Sequence, residues 1–144
     1  MSRPGQGSPS TQHGSQIFSQ IGCNLCHTQS FTTGQSSVAA RSNIQANLYS
    51  DLLLHHMGPT LADYVSQGVA HGDEFRIAPL WGLGQRIFFF LHDGRTKDLV
   101  QVIQDHFSSG NRTYPSSEAN SVVNNYNHLS ASDQQDLLNF LRSL

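Results

Sequence analysis

Cys23-Asn24-Leu25-Cys26-His27 is the stretch that decides how the rest of the chain is read. These are the only two cysteines in 144 residues, and a histidine follows the second directly. Two thiols at this spacing can be joined as thioethers to the two vinyl groups of one haem. The adjacent imidazole then lies under the ring and can ligate the iron. Rival chemistries fit less well. A zinc site commonly takes four protein ligands. No second cysteine pair exists, and His13, His55, His56, His71, His92, His106 and His128 do not form the short paired set of a zinc finger. A redox dithiol of the thioredoxin kind would sit beside a βαβ pattern, which is not visible here. A disulfide across two residues closes a very short loop and adds little stability. The motif therefore reads as the attachment site of one haem c, with Cys23 and Cys26 as tethers and His27 as an iron ligand.

Composition narrows the partners. The net charge is −2, only 12% of residues are charged, and Lys97 is the single lysine beside seven arginines. A nucleic-acid surface would show clustered basic charge, and a lysine-ringed docking face is equally absent. No apolar run approaches the length of a transmembrane helix. The first residues lack the charged-then-apolar pattern of a signal peptide, whereas thioether attachment normally takes place outside the cytoplasm. The expectation is a periplasmic or otherwise exported protein whose export signal has been removed or truncated.

Residues 1–13, rich in Gly, Ser, Pro and Gln, read as a flexible tail or linker. A helix is expected from Gly14 or Ser15, with Ile17, Phe18 and Ile21 on its apolar stripe and Gly22 turning the chain into the cysteine loop. Residues 28–47 read as an irregular polar loop, with a short strand or turn around Phe31 to Val38. Next comes Tyr49-Ser50-Asp51-Leu52-Leu53-Leu54-His55-His56-Met57-Gly58-Pro59. A low-spin haem needs a sixth ligand, usually Met or His. Met1 lies in the tail, so Met57 is the expected ligand, held in a rigid bend by Gly58 and Pro59. His55 and His56 are the adjacent alternatives, and a gap-filling core role is the bland reading of Met57.

Further on, a short helix is expected from Leu61 to Gln67. Arg76 could pair with a haem propionate, and Trp81 is read as either a neighbour of the ring or a core anchor. The run from Ile87 to Leu91 is densely apolar, and Asp93-Gly94 marks a turn. Thr96 is the expected N-cap of a helix from Lys97 to about Phe107, with Leu99, Val100, Ile103 and Phe107 on one face. Residues 108–127 read as a polar loop with one short helical piece. Ser130 or Ser132 caps a final helix that buries Leu137, Leu138, Leu141 and Leu144, and Gln135 completes a capping box with Ser132. The expected fold class is all-α: a cytochrome c-like domain over residues 14–144, with three to five helices and long loops wrapped around one haem.

Taken in order, several stretches resemble a known family. They are Ile21-Gly22-Cys23-x-x-Cys26-His27, the segment from Tyr49 to Pro59, and Phe75-Arg76-x-Ala78-Pro79-Leu80-Trp81-Gly82-Leu83-Gly84. Leu91-His92-Asp93-Gly94-Arg95 and the leucine-rich ending follow. Over roughly residues 14–144 the chain resembles the C-terminal haem domain of the di-haem oxidoreductases, which are related to bacterial di-haem cytochrome c peroxidases and to MauG. In that group the C-terminal domain typically carries the electron-transferring haem and the N-terminal domain the peroxidatic one. Carried over, the resemblance implies haem attachment by Cys23 and Cys26, His27 as the proximal ligand and Met57 as the distal one. The residue before Met57 is often acidic in the family and is His56 here. This chain holds one haem motif, so the peroxidatic half is not in it.

The functional expectation is a monohaem c-type cytochrome domain that passes single electrons between redox partner proteins. The alternative is a peroxidase-like domain with an open or opening distal site. Association with a second haem domain, or self-assembly that aligns haems, is also compatible with the polar loops.

Overall fold

The computed structural model describes residues 7–85 and 89–144. Its elements are, in chain order, α1 (Pro9–Gln20), β1 (Phe31–Thr32), β2 (Gln45–Ala46), β3 (Leu54–His56), β4 (Glu74–Arg76), α2 (Leu99–Asp105), α3 (Asn120–Asn127) and α4 (Ala131–Ser143). Single 3₁₀ turns occupy Cys23–Leu25, Ala39–Arg41 and Leu83–Gln85.

The expected all-α class is therefore corrected: among the described residues, two small antiparallel sheets accompany four helices. In one, Phe31 pairs with Ala46 and Thr32 with Gln45. In the other, Leu54 pairs with Arg76, His55 with Phe75 and His56 with Glu74. These ladders satisfy backbone groups of long loops that would otherwise lack partners.

Ser8, not Gly14, marks where α1 begins. Its side chain accepts from the Thr11 N–H, and Pro9 stands where a missing N–H costs nothing. Residues 9 to 13 thus form the first turns of the helix. The other end runs as expected into Gly22, whose φ of 100° supplies the turn into the cysteine loop. Gly14 lets α1 press against α4: a Cβ there would lie 2.7 Å from Phe140 Cβ and overlap the Asp136 carbonyl oxygen. Across this crossing Ile17, Phe18 and Ile21 meet Leu137, Phe140 and Leu141 in the main core cluster. Phe18 and Phe140 pack edge to face at 5.4 Å, and Tyr49 joins both at 6.1 and 5.9 Å. Such pairs add about 0.5–1.5 kcal/mol each beyond their buried area.

Several boundaries differ from expectation. No helix forms over residues 61–67. Tyr64 has a φ of 63°, the Asp63 N–H goes to the Gly72 carbonyl, and Gln67 bridges back to Ala70. Asp98, rather than Thr96, caps α2 by accepting from the Val100 N–H. The face of α2 is also rotated from the expected one. Leu99 is buried, but Val100 and Phe107 are exposed. Ser130 caps α4, accepting from Asp133, so the Ser132 capping box does not form. Within the apolar run at 87–91, Ile87 and Phe88 lie outside the described residues. No described helix is long and apolar enough to cross a membrane.

Candidate functional site

The C-terminal end of α1, the cysteine loop, β3 and its flanks, and helix α2 enclose a cavity of about 540 Å³ with a mainly apolar wall. That volume falls within the roughly 300–1,000 Å³ of sites that enclose small cofactors. Cys23, Cys26, His27, Met57 and Arg76 all border it.

The cysteine loop is pinned from both sides. The His27 N–H donates to the Cys23 carbonyl at 2.9 Å, which closes the loop on itself. The N–H groups of Tyr49, Ser50 and Asp51 then donate in turn to the carbonyls of Gln29, Thr28 and Cys26. Ser50 is fully buried, and its hydroxyl donates to the Ile77 carbonyl at 2.6 Å, tying this segment to the residue after β4.

Tyr49 itself has a φ of 54°, a left-handed conformation that a bulky residue adopts only when its surroundings enforce it. The conformation aims its carbonyl at His27 Nδ1, 3.0 Å away. A carbonyl oxygen can only accept, so Nδ1 carries the proton and Nε2 keeps its lone pair. Burial lowers the His27 pKa to about 4, so the ring is neutral at physiological pH. Nε2 has no hydrogen-bond partner among the described residues. A neutral imidazole, oriented through one nitrogen and bare at the other, is the form in which histidine binds a metal.

Neither thiol has the character of a redox cysteine. The two are free of any disulfide. Burial pushes Cys23 up to about 12. Cys26 is also raised, first by burial and then by the nearby Asp51 and Glu118 carboxylates. Reactive dithiols have lowered, not raised, values. Cys26, Asp51 and His55 do offer ligand atoms within 4.8 Å of one another, but His55 is already committed on both sides. Its Nε2 lies 2.7 Å from Asp51 and its Nδ1 2.6 Å from Glu118. Burial opposes a charge on this ring. The Glu118 and Asp51 carboxylates outweigh it, and the pKa is raised. With both nitrogens donating to carboxylates, His55 has no lone pair for a metal. His56 is similarly engaged, at 3.0 Å from Asp73 and 3.6 Å from Glu74. Asp73 is wholly buried, and its Oδ1 has no partner among the described residues.

Met57 is buried on the cavity wall, and its N–H donates to the Asp73 carbonyl at 2.8 Å. Gly58 follows with a φ of 69° against Ser108, and Pro59 stands outside the cavity. Arg76 borders the cavity at the exposed face of β4 and has no carboxylate partner among the described residues. Trp81 is not a core anchor: it is 62% exposed and does not line the cavity.

His106 was not singled out from the sequence. Leu99, Val102, Ile103 and His106 all face the cavity from α2, at helical spacing. A histidine completing an apolar stripe was the available signal, and the misplaced stripe concealed it. Phe75 and His92 stack at 4.2 Å on another part of the wall.

A family model described as "Di-haem oxidoreductase, putative peroxidase" matches residues 2–144. No curated protein and no solved structure matches the chain.

Proposed function

The chain belongs to the di-haem oxidoreductase family, and we propose that this domain is a monohaem c-type cytochrome unit that relays single electrons. Haem-based redox function is the family's common ground. The finer reading rests above all on one observation. Cys23, Cys26 and a neutral His27 with a bare Nε2 border one apolar cavity of suitable volume.

When bound, a haem supplies a one-electron iron couple. The sulfurs of Cys23 and Cys26 would hold it covalently, and His27 Nε2 would ligate its iron. The raised thiol pKa values favour the protonated form until attachment machinery engages them. The apolar wall excludes water, which limits solvent reorganisation as the charge changes. Arg76, which borders the cavity, would donate to a propionate. A second side chain from the wall that also ligated the iron would exclude peroxide from it, which favours a carrier over a catalyst.

Leu25 and Phe89 border the cavity yet are 73% and 59% exposed. They mark the rim at which a redox partner, a second haem domain or another copy of the chain would dock. Because thioether attachment takes place outside the cytoplasm, we place the domain in the periplasm or another exported location, which cell fractionation would check. Voltammetry of the haem-loaded protein should give a reversible one-electron couple with negligible peroxide turnover. Robust turnover would move the assignment to a peroxidase-like domain.

A further inference from the structure

We infer that His106, at the C-terminal end of α2, is the second axial ligand of the haem iron, and that Met57 packs against the ring without ligating it. This rests on the haem reading above.

Four observations carry the inference. First, His106 repeats the arrangement of His27. Its Nδ1 lies 2.6 Å from the Val102 carbonyl and must be the donor, so Nε2 carries the lone pair. The helix end makes this possible. The His106 N–H bonds to the Ile103 carbonyl instead of continuing to Val102, which leaves the Val102 carbonyl for the imidazole. Second, His106 Nε2 has no partner among the described residues, in a ring that borders a mainly apolar cavity. Its lone pair is thus open to whatever fills the cavity. A thioether on the wall needs no such ligand, because packing alone satisfies it. Third, His27 and His106 border the same cavity, each ring oriented through its Nδ1. Fourth, His55 and His56 face carboxylates on both sides, and His92 lies stacked on Phe75.

The consequence is a bis-histidine centre. A thioether ligand raises the haem potential, so this domain should sit lower than a His/Met cytochrome and act as the more reducing partner.

The test is spectroscopic, on protein matured with covalent haem. The oxidised wild type should be low-spin and lack the far-red sulfur-to-iron(III) charge-transfer band. Met57→Leu should keep that spectrum. His106→Ala should become high-spin, and added imidazole should restore the low-spin form. A wild-type band that disappears in Met57→Leu would overturn the inference in favour of Met57. A high-spin wild type would overturn it in favour of an open iron. Should His106→Ala fail to fold, His106→Met takes its place: the far-red band should appear with the new thioether, and an unchanged spectrum would overturn the inference. A protein with no covalent haem would overturn the haem reading as well, an outcome visible before any ligand is assigned.

Discussion

Gly14→Ala tests whether the α1–α4 crossing sets the geometry of the haem-attachment end. In an ordinary helix interior this substitution stabilises by about 1 kcal/mol, because alanine loses less backbone entropy. Here the added Cβ would overlap the Asp136 carbonyl oxygen and stand 2.7 Å from Phe140 Cβ. The obstacle is helix backbone, which cannot swing aside as a side chain can, so the helices must separate. Overpacking of this kind costs about 1–3 kcal/mol, and the rigid neighbour argues for the upper part of that range. The net expectation is a loss of about 1–2 kcal/mol, or roughly 3–6 °C in Tm for a chain of this size. Thermal unfolding followed by circular dichroism on the haem-loaded protein measures it. Gln16→Ala, on the exposed side of the same helix, serves as a control and should change Tm little. Separation should also loosen Phe18, whose ring lies 6.3 Å from that of His27. A Gly14→Ala protein as stable as the wild type would refute the close-crossing argument.

Other perturbations separate packing from charge. Phe18→Ala removes a ring that is 4% exposed and should cost about 3–5 kcal/mol in denaturant unfolding; a loss below about 1 kcal/mol would mean the aromatic cluster is not part of the core. The cluster of His55, Asp51 and Glu118 predicts a pH optimum of stability. The raised His55 value contributes stability that is complete below about pH 6.5 and lost as pH rises through the folded value. The lowered Asp51 and Glu118 values contribute stability that is present above about pH 4 and lost on acidification. Glu118→Gln should lower Tm near pH 6 and flatten its decline towards pH 8 (both approximate positions following from the unperturbed values); a profile parallel to the wild type would contradict the pairing. Arg76→Leu should lower the haem potential in voltammetry, since a nearby cation favours the reduced form. An unchanged potential would remove Arg76 from the site.

What could be read in advance depended on how local each signal is. Cys23, Cys26 and His27 declare their chemistry within five residues, and helices α1 and α4 declare themselves through apolar stripes several turns long. The strands did not. Two or three residues, such as Phe31–Thr32 or Glu74–Arg76, are too short to show an alternating period. They exist because distant loops meet, which is a tertiary outcome. The helix expected at 61–67 gives way to backbone bonds with Gly72 and Ala70, which lie beyond the segment itself. Trp81, with a core anchor as one of its two readings, lies on the surface. His106 went unmarked for a different reason. Placing Val100 and Phe107 on the buried face rotated α2 away from the true stripe of Leu99, Val102, Ile103 and His106, and the histidine fell outside it.

The central claim is that Cys23 and Cys26 hold a haem covalently. Its most direct test is the mass of the intact, denatured protein after expression in a host that matures c-type haem. The account predicts the mass of the chain plus one haem, retained through acid–acetone extraction and lost in the Cys23→Ser, Cys26→Ser double variant. A wild-type mass equal to the bare polypeptide, with haem extractable or absent, would contradict it.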